Sequence, residues 1–149
     1  MNSDQKVARQ VALILPYNAE GRILLQLRTD DATHLPGFWS HFGGGIQEDE
    51  SPQLAARREF IEELETDLGE VELFRSYTIE QHAELRRKFV FLIPISESAD
   101  DLRVQLREGQ DLNYFSFEEI KKLKYPTWDL IIVKDAFDEI AARREKSRQ

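Results

Sequence analysis

The sequence predicts an α/β protein in which helices flank one mixed β-sheet. Segments rich in Val, Ile, Leu and Phe outnumber the helical segments, and the two kinds do not alternate regularly along the 149 residues. Regular alternation would indicate repeated βαβ units with a parallel sheet, so the irregular order favours a mixed sheet. With 41% hydrophobic residues and no linker rich in glycine, serine or proline, the chain is expected to form a single domain over residues 1–149.

The chain begins with a predicted β-hairpin. Apolar residues run from Val7 to Tyr17, a turn-forming Asn-Ala-Glu-Gly segment follows, and apolar residues resume over Arg22–Leu27. This is the pattern of two strands around a tight turn. Residues Thr29–Pro36 have no periodicity and are expected to form a loop. A short strand over Phe38–Phe42 then leads to three consecutive glycines.

A helix is predicted after these glycines, Gly43–Gly45, which are expected to let the backbone bend and approach a ligand closely. Ser51 is a favourable N-cap and Pro52 a favourable first helical residue. Apolar residues recur at helical spacing through Glu65. The first glycine beyond these residues is Gly69, and we expect the helix to stop near it.

The C-terminal half has the patterns of three more strands and two more helices. The strand segments are rich in β-branched and aromatic residues, and the helical ones have capping or amphipathic patterns. The predicted elements are a strand over Val71–Glu80, a strand over Lys88–Ile95 antiparallel to it, a strand over Asp111–Phe115, a helix beginning at Ser116 and an amphipathic helix over Trp128–Ala142. The tail from Arg143 to Gln149 is expected to fray.

Composition limits the partners and the compartment. With 28 acidic and 20 basic residues the formal net charge is -8, so the overall field repels nucleic acid and no duplex binding is expected. The absence of cysteine excludes disulfides, thiolate zinc sites and a catalytic thiol. No apolar run is long enough for a signal peptide or a membrane span. We therefore expect a cytoplasmic protein with no membrane partner.

An acidic motif with regular spacing lies in the middle of the chain. It reads, in order, Gly44, five residues, Glu50, seven residues, and Arg58-Glu59-Phe60-Ile61-Glu62-Glu63. On a helix Glu59, Glu62 and Glu63 lie at i, i+3 and i+4, so three carboxylates share one face. They repel unless a hard cation lies among them, and Mg²⁺ prefers oxygen ligands.

Arg58 is expected to point off that face and hold Glu50. A glutamate-rich run alone is more often a solvated helix face, but the register of the glycines, Glu50 and Arg58 favours a metal-bearing helix.

This motif resembles the Nudix box, G-x5-E-x7-R-E-U-x-E-E-x-G-U, where U is a large aliphatic residue. All six glycine and charged positions up to the second glutamate of the pair match. The box, Gly44–Thr66, departs from the pattern at Phe60, which is aromatic, at Glu65, where glycine is expected, and at Thr66, where an apolar residue is expected. The resemblance is closest to MutT-type nucleoside triphosphate pyrophosphatases. It implies the Nudix fold, an α/β/α sandwich with a mixed central β-sheet.

The resemblance also implies a divalent metal site, with Mg²⁺ as the expected ion and Mn²⁺ as the alternative. Glu59, Glu62 and Glu63 would bind the metal together with the Gly43 carbonyl. Glu108, in the segment Glu-Gly-Gln, is either a further ligand or an exposed turn carboxylate. Glu59 is the first choice for activating water, although another loop glutamate stays open. The implied catalytic residues are Glu50, Arg58, Glu59, Glu62 and Glu63.

Four residues outside the box are candidates for substrate binding. Arg28 is close to where the family places a phosphate-contacting arginine, and an ordinary surface arginine is the alternative. Trp128 could stack on a nucleotide base and Asp129 could form a hydrogen bond with the edge of that base. The alternative is that Trp128 belongs to the core, as an aromatic residue at the start of a final helix more often does. His41, on the strand that leads into the glycines, could line the pocket. His34 and His82 are expected to be structural or solvent-facing.

The implied function is metal-dependent hydrolysis of a diphosphate bond in a nucleoside triphosphate or another nucleoside diphosphate linked to a moiety X. The substrate would be a small nucleotide. A non-catalytic nucleotide sensor on the same scaffold is the alternative, and the three glutamates argue against it. A diphosphate isomerase would need a protonating cysteine, which the chain lacks. The oligomeric state is open, and a homodimer is one option.

Overall fold

The computed structural model describes residues 6–149, and its strands and helices are arranged around one central strand. In chain order the elements are β1 (Val7–Tyr17), β2 (Ile23–Leu27), β3 (Trp39–Ser40), β4 (Phe42–Gly45), α1 (Pro52–Leu64), β5 (Arg75–Gln81), β6 (Glu84–Pro94), α2 (Ala99–Arg103), β7 (Asp111–Phe115), α3 (Phe117–Ile120), a 3₁₀ turn (Thr127–Asp129) and α4 (Leu130–Ser147).

Strand β1 pairs with three other strands and so sets the layout of the sheet. It runs parallel to β6 and antiparallel to β4 and β2. Strand β5 pairs antiparallel with β6, and β2 pairs antiparallel with both β3 and β7. The predicted mixed sheet is therefore confirmed, with seven strands within residues 6–149. Strands β1 and β2 form the predicted hairpin only next to its turn, where Tyr17 pairs with Ile23. Along the rest of its length β2 pairs with β7 and not with β1.

Helices cover both faces of this sheet. Successive residues of a strand point to opposite faces, so Ile14 lies in one core cluster and Leu15 in the other. Ile14 shares its cluster with Phe42 and with Phe60 of α1, while Leu15 shares the other with Ile132 of α4. Burying a side chain such as Phe60 stabilises the fold by about 1.5–3 kcal/mol relative to exposure. The predicted α/β/α sandwich is confirmed.

Helix α1 ends earlier than predicted. Its last residue is Leu64, and the expectation of an end near Gly69 was wrong. Glu65 adopts the left-handed conformation, with φ 55°, and its N–H donates to the Ile61 carbonyl at 2.8 Å. Glu65 thus takes the helix-ending conformation that usually belongs to glycine, and Ser51 caps the other end by accepting from the Leu54 N–H.

The consecutive glycines lie within β4 and do not form a bend. Gly43 pairs with Leu13 and Gly44 with Ala12, so the expected strand over Phe38–Phe42 is divided into β3 and β4 on either side of His41. Gly43 has φ 132°, and a Cβ there would lie 2.0 Å from the Ala12 carbonyl oxygen. Glycine is required because β4 approaches β1 closely.

Other element boundaries also shifted. Strand β6 begins at Glu84, before the predicted start at Lys88, because its charged first residues pair along β1 and β5. Strand β5 begins at Arg75 rather than Val71, and the short α2 was not predicted. The tail is helical through Ser147, because Arg143 donates to Glu139 at 2.9 Å and to the Tyr17 hydroxyl at 3.1 Å. Among residues 6–149 no helix is long and apolar enough to cross a membrane.

Candidate active site

Glu63 is the most deeply buried carboxylate of the box, with 2% of its surface exposed. The Gly43 N–H donates to one of its oxygens at 2.8 Å, and the Gln26 side-chain amide donates to the other at 2.6 Å. Burial is the main cause that raises the pKa of Glu63 to about 8, and the charges of Glu59 and Glu108 act in the same direction. Glu63 therefore fixes α1 beneath β4 and β2.

Glu59 lies one turn earlier on α1, against the strand of glycines. A Cβ on Gly44 would come within 2.5 Å of a Glu59 carboxylate oxygen, so any other residue at position 44 would displace this carboxylate from its place against β4. Burial raises the pKa of Glu59, and the neighbouring charges of Glu62 and Glu108 raise it further against the opposing effect of Arg58. Glu59 is thus a partly desolvated carboxylate at the edge of the site.

Arg58 makes the predicted contact with Glu50. Its Nε and one Nη donate to the two Glu50 oxygens at 2.7 and 2.9 Å, and the same Nη donates to the Gly45 carbonyl at 3.0 Å. The expectation that Arg58 points off the glutamate face holds only in part, because its other Nη donates to Glu59 at 3.0 Å and to Glu62 at 3.4 Å. Arg58 therefore ties the start of the box to its helix.

The carboxylate oxygens of Glu59, Glu62 and Glu63 are ligands that suit a hard divalent cation. The side chain of Glu62 is 50% exposed. The loop that carries Glu108 packs against Gln26, because a Cβ on the next residue, Gly109, would lie 2.9 Å from the Gln26 side-chain oxygen. In residues 6–149 no three acidic or histidine side chains converge as a ready ligand set. The carboxylates would have to turn toward one another to share an ion.

A cleft with a volume of about 250 Å³ opens beside Gly43 and Gly44. The structure brings all four predicted substrate-binding residues to its lining, namely Arg28, His41, Trp128 and Asp129. Pockets that hold a whole drug-sized ligand measure roughly 300–1,000 Å³, so this cleft suits part of a nucleotide. A larger groove of about 520 Å³ near Tyr17 and Arg143 contains no residue of the box.

Each of these four residues already has a contact within the protein. Arg28 donates from Nε to the His34 carbonyl at 2.6 Å, and Asp129 accepts from Lys88 at 2.7 Å. His41 lies 2.5 Å from the Tyr125 hydroxyl, and burial lowers its pKa to about 3, so it is neutral near neutral pH. The ring of Trp128 lies edge-on to His82, with centroids 5.2 Å apart. The roles that the sequence assigned to Arg28, His41, Trp128 and Asp129 stay predictions.

Sequence reasoning missed several polar residues of the cleft. Four buried side-chain atoms in the described part of the chain have no hydrogen-bond partner, and all four belong to residues that line this cleft: Ser40 Oγ, His41 Nδ1, Gln81 Oε1 and Arg86 Nε. Buried polar groups are normally paired, so these four atoms can bond to water or to a polar ligand in the cleft. Alternation along β6 would have placed Arg86 and Lys88 on one face, but the predicted strand began only at Lys88.

Comparison with known proteins identifies relatives. Residues 7–136 match the model of the NUDIX domain. An RNA pyrophosphohydrolase of Gluconacetobacter diazotrophicus is 42% identical over 69 residues, which are 44% of this chain and 41% of the relative. The chain thus matches about two fifths of the length of its curated relatives. A MutT protein from Methanosarcina mazei superimposes with a TM-score of 0.72 at 19% identity, covering 94% of this chain and 96% of that one. The NUDIX domain of Shewanella oneidensis NrtR, complexed with ADP ribose, superimposes with a TM-score of 0.68 at 15% identity, and the match covers 93% of this chain and 92% of that one.

Proposed function

Because this chain belongs to the Nudix family of hydrolases, whose domain model covers residues 7–136, we propose that it cleaves a diphosphate bond in a small nucleotide. The substrate is a nucleoside triphosphate or another nucleoside diphosphate linked to a second moiety. One observation supports this proposal most directly. Glu63 accepts a hydrogen bond of 2.8 Å from the Gly43 N–H, so the acidic face of α1 adjoins the glycine end of the cleft.

Nudix enzymes generally use divalent metal ions, and we assign Mg²⁺, with Mn²⁺ as a substitute, to this site. The ligands would be the Gly43 carbonyl and the carboxylates of Glu59, Glu62, Glu63 and Glu108. When bound, the metal would neutralise the phosphates and stabilise charge on the leaving oxygen. The charges of Glu59 and Glu108 act on Glu63 in the protein, which supports their placement in one site.

The side chains of the site have separate tasks in the reaction. Glu59 is the first choice for accepting the proton of the attacking water, because burial raises its pKa and makes it a stronger base; Glu108 is the alternative. The pair of Arg58 and Glu50 holds the beginning of the box. The water oxygen bonds to phosphorus as the bond to the bridging oxygen breaks. The products are a nucleoside monophosphate and pyrophosphate, or the two monophosphate halves of the substrate.

Two other activities are outcomes of the same test. A nucleotide sensor would bind the substrate and leave it intact, and the presence of Glu59, Glu62 and Glu63 argues against it. A 5′-triphosphorylated RNA contains the same kind of diphosphate bond, and the relative from G. diazotrophicus is named an RNA pyrophosphohydrolase. The net charge of -8 disfavours a long polyanion, so a free nucleotide is our proposal.

A substrate panel tests the proposal. Nucleoside triphosphates, dinucleoside polyphosphates, ADP-ribose, nucleotide sugars and a 5′-triphosphorylated oligoribonucleotide are incubated with Mg²⁺, and the products are separated by chromatography. We expect cleavage of at least one free nucleotide, and a loss on the order of a hundredfold or more in Glu62→Gln and Glu63→Gln. Glu72→Gln, an exposed loop position, is the control. Full turnover by both site variants would reject the assignment, and binding without cleavage would favour the sensor.

A further inference from the structure

Gln26 on β2 is a buried polar side chain that has no task in the proposed reaction. Only 4% of its surface is exposed. Its side-chain amide donates to a Glu63 oxygen at 2.6 Å and to the His41 carbonyl at 3.4 Å. A primary amide has two N–H donors, so both are used. The shorter of the two bonds joins Gln26 to a proposed metal ligand.

The backbone of Gln26 is held on both edges of β2. Gln26 pairs with Ser40 of β3 on one edge and with Leu112 of β7 on the other. Buried backbone groups must stay paired, so β2 cannot shift here without breaking hydrogen bonds on both sides. Gln26 therefore presents its amide from a fixed position.

The carboxylate of Glu63 depends on donors from outside its own helix. Glu63 is the residue before the last one of α1, and helix ends fray. The Gly43 N–H of β4 donates to one of its oxygens at 2.8 Å, and the Gln26 amide donates to the other. Within residues 6–149 Gln26 is the one side-chain donor to Glu63. An ionised carboxylate can accept about four hydrogen bonds, so both oxygens can still bind a cation.

Gln26 also adjoins the segment that carries Glu108. A Cβ on Gly109 would lie 2.9 Å from the Gln26 side-chain oxygen, so this segment passes directly over the amide. On the other side of Glu108, the Arg107 N–H donates to the Glu63 carbonyl at 2.9 Å. Gln26 therefore lies where the end of α1 and the Glu108 segment meet.

We infer that Gln26 is a positioning residue of the metal site, which holds the Glu63 carboxylate in the orientation that binds the ion. Gln26 itself contacts neither the metal nor the substrate. The inference rests on the proposed function, which places the metal at Glu63. Loss of a group that orients a metal ligand by a hydrogen bond typically lowers metal affinity or activity by about 10–100-fold. A glutamine that only filled space would have no such effect.

Titration with Mn²⁺, followed by the relaxation of water protons, tests this inference without substrate. Gln26→Met keeps the approximate length and volume of the side chain but removes the amide, and it should bind Mn²⁺ at least about tenfold more weakly than wild type. Gln81→Met is the matched control, because Gln81 is also 4% exposed but lines the cleft, and it should bind as wild type does. Equal affinity in wild type and Gln26→Met, or an equal loss in Gln81→Met, would overturn the inference.

A double-mutant cycle shows whether Gln26 acts through Glu63. In the Glu63→Gln background, Gln26→Met should lower Mn²⁺ affinity by about twofold or less, because the carboxylate that Gln26 holds is gone. A loss as large as in the wild-type background would mean that Gln26 acts elsewhere. Gln26→Asn keeps the amide but is one methylene too short to reach Glu63. It should show the same loss as Gln26→Met and replaces it if circular dichroism shows that the methionine variant does not fold.

Metal binding and turnover together separate this inference from the proposed function. If Gln26→Met lowers Mn²⁺ affinity but no nucleotide is cleaved by wild type, the proposed function fails and the inference stands. If wild type cleaves a nucleotide and Gln26→Met binds Mn²⁺ as tightly as wild type, the inference alone fails. A wild-type protein that binds no Mn²⁺ would also overturn the inference, because Glu63 would then hold no metal.

Discussion

Glu63 links stability and chemistry at the scale of one residue. Its pKa in the folded, metal-free protein is about 8, above the ordinary value of 4.5, mainly because the side chain is buried. The unfolded chain therefore loses this proton first, and the free energy of unfolding falls as the pH rises from about 4.5 to about 8. The ionised carboxylate of Glu63, which the proposed reaction needs, is therefore unfavourable in the metal-free fold.

Glu63→Gln is therefore expected to be more stable relative to wild type at pH 8 than at pH 5 when EDTA is present. Glutamine keeps the shape of the side chain but has no charge to desolvate, so the loss of stability that comes from residue 63 occurs only in wild type. Urea unfolding at both pH values measures the difference, with Glu72→Gln as control. A difference between wild type and Glu63→Gln that does not change with pH would contradict the burial argument.

Strand β4 determines how closely the box approaches the sheet. Gly43→Ala would place a Cβ 2.0 Å from the Ala12 carbonyl oxygen and force β4 away from β1. We expect a loss of at least about 3 kcal/mol in the free energy of unfolding, together with the loss of activity. Gly69→Ala is the control, because Gly69 also has positive φ but has no atom within 4 Å of the added Cβ, and it should cost about 1 kcal/mol. Equal losses in the two variants would show that contact with Ala12 does not matter.

The end of α1 gives a second prediction at the scale of an element. Glu65 occupies the left-handed region with φ 55° and also forms an ion pair with Arg107. Glu65→Gly and Glu65→Ala both remove the ion pair, but only glycine removes the strain of a Cβ. Glu65→Gly should therefore be more stable than Glu65→Ala by about 1 kcal/mol, as measured by thermal or urea unfolding. Equal stability would mean that the helix end relaxes in the alanine variant.

On the scale of the whole molecule, β1 joins the two halves of the site. One of its edges pairs with β4 and so with the box, and the other pairs with β6, which carries Arg86 and Lys88. Arg9 extends from β1 itself. The acidic helix and the basic cleft therefore lie on either side of one strand, where the proposed nucleotide could contact both.

Much of this arrangement could be predicted from local patterns. The spacing of Glu59, Glu62 and Glu63 places them on one helix face whatever lies around them, and the contact between Arg58 and Glu50 followed from the same register. Contacts between segments that are distant in the chain could not be predicted from such patterns. The pairing of Arg9 with Arg86 depends on a parallel register between strands more than seventy residues apart in the chain, which no local pattern contains.

The errors have a common cause in tertiary contacts that override local preference. Glu65 ends α1 although a glycine was expected, because the chain turns there and accepts the strain of a left-handed residue. The glycines were read as a flexible bend, whereas β1 holds Gly43 and Gly44 in the sheet. The tail after Arg143 stays helical because Tyr17, far away in sequence, accepts its hydrogen bond.

Binding of Mn²⁺, followed by electron paramagnetic resonance, tests the metal site most directly. Wild type and Glu72→Gln should bind the ion, and Mg²⁺ should displace it. The triple variant Glu59→Gln/Glu62→Gln/Glu63→Gln should bind at least about tenfold more weakly, since hard cations need charged oxygen ligands. If the triple variant binds Mn²⁺ as tightly as wild type, these glutamates do not hold the metal and the account of catalysis is wrong.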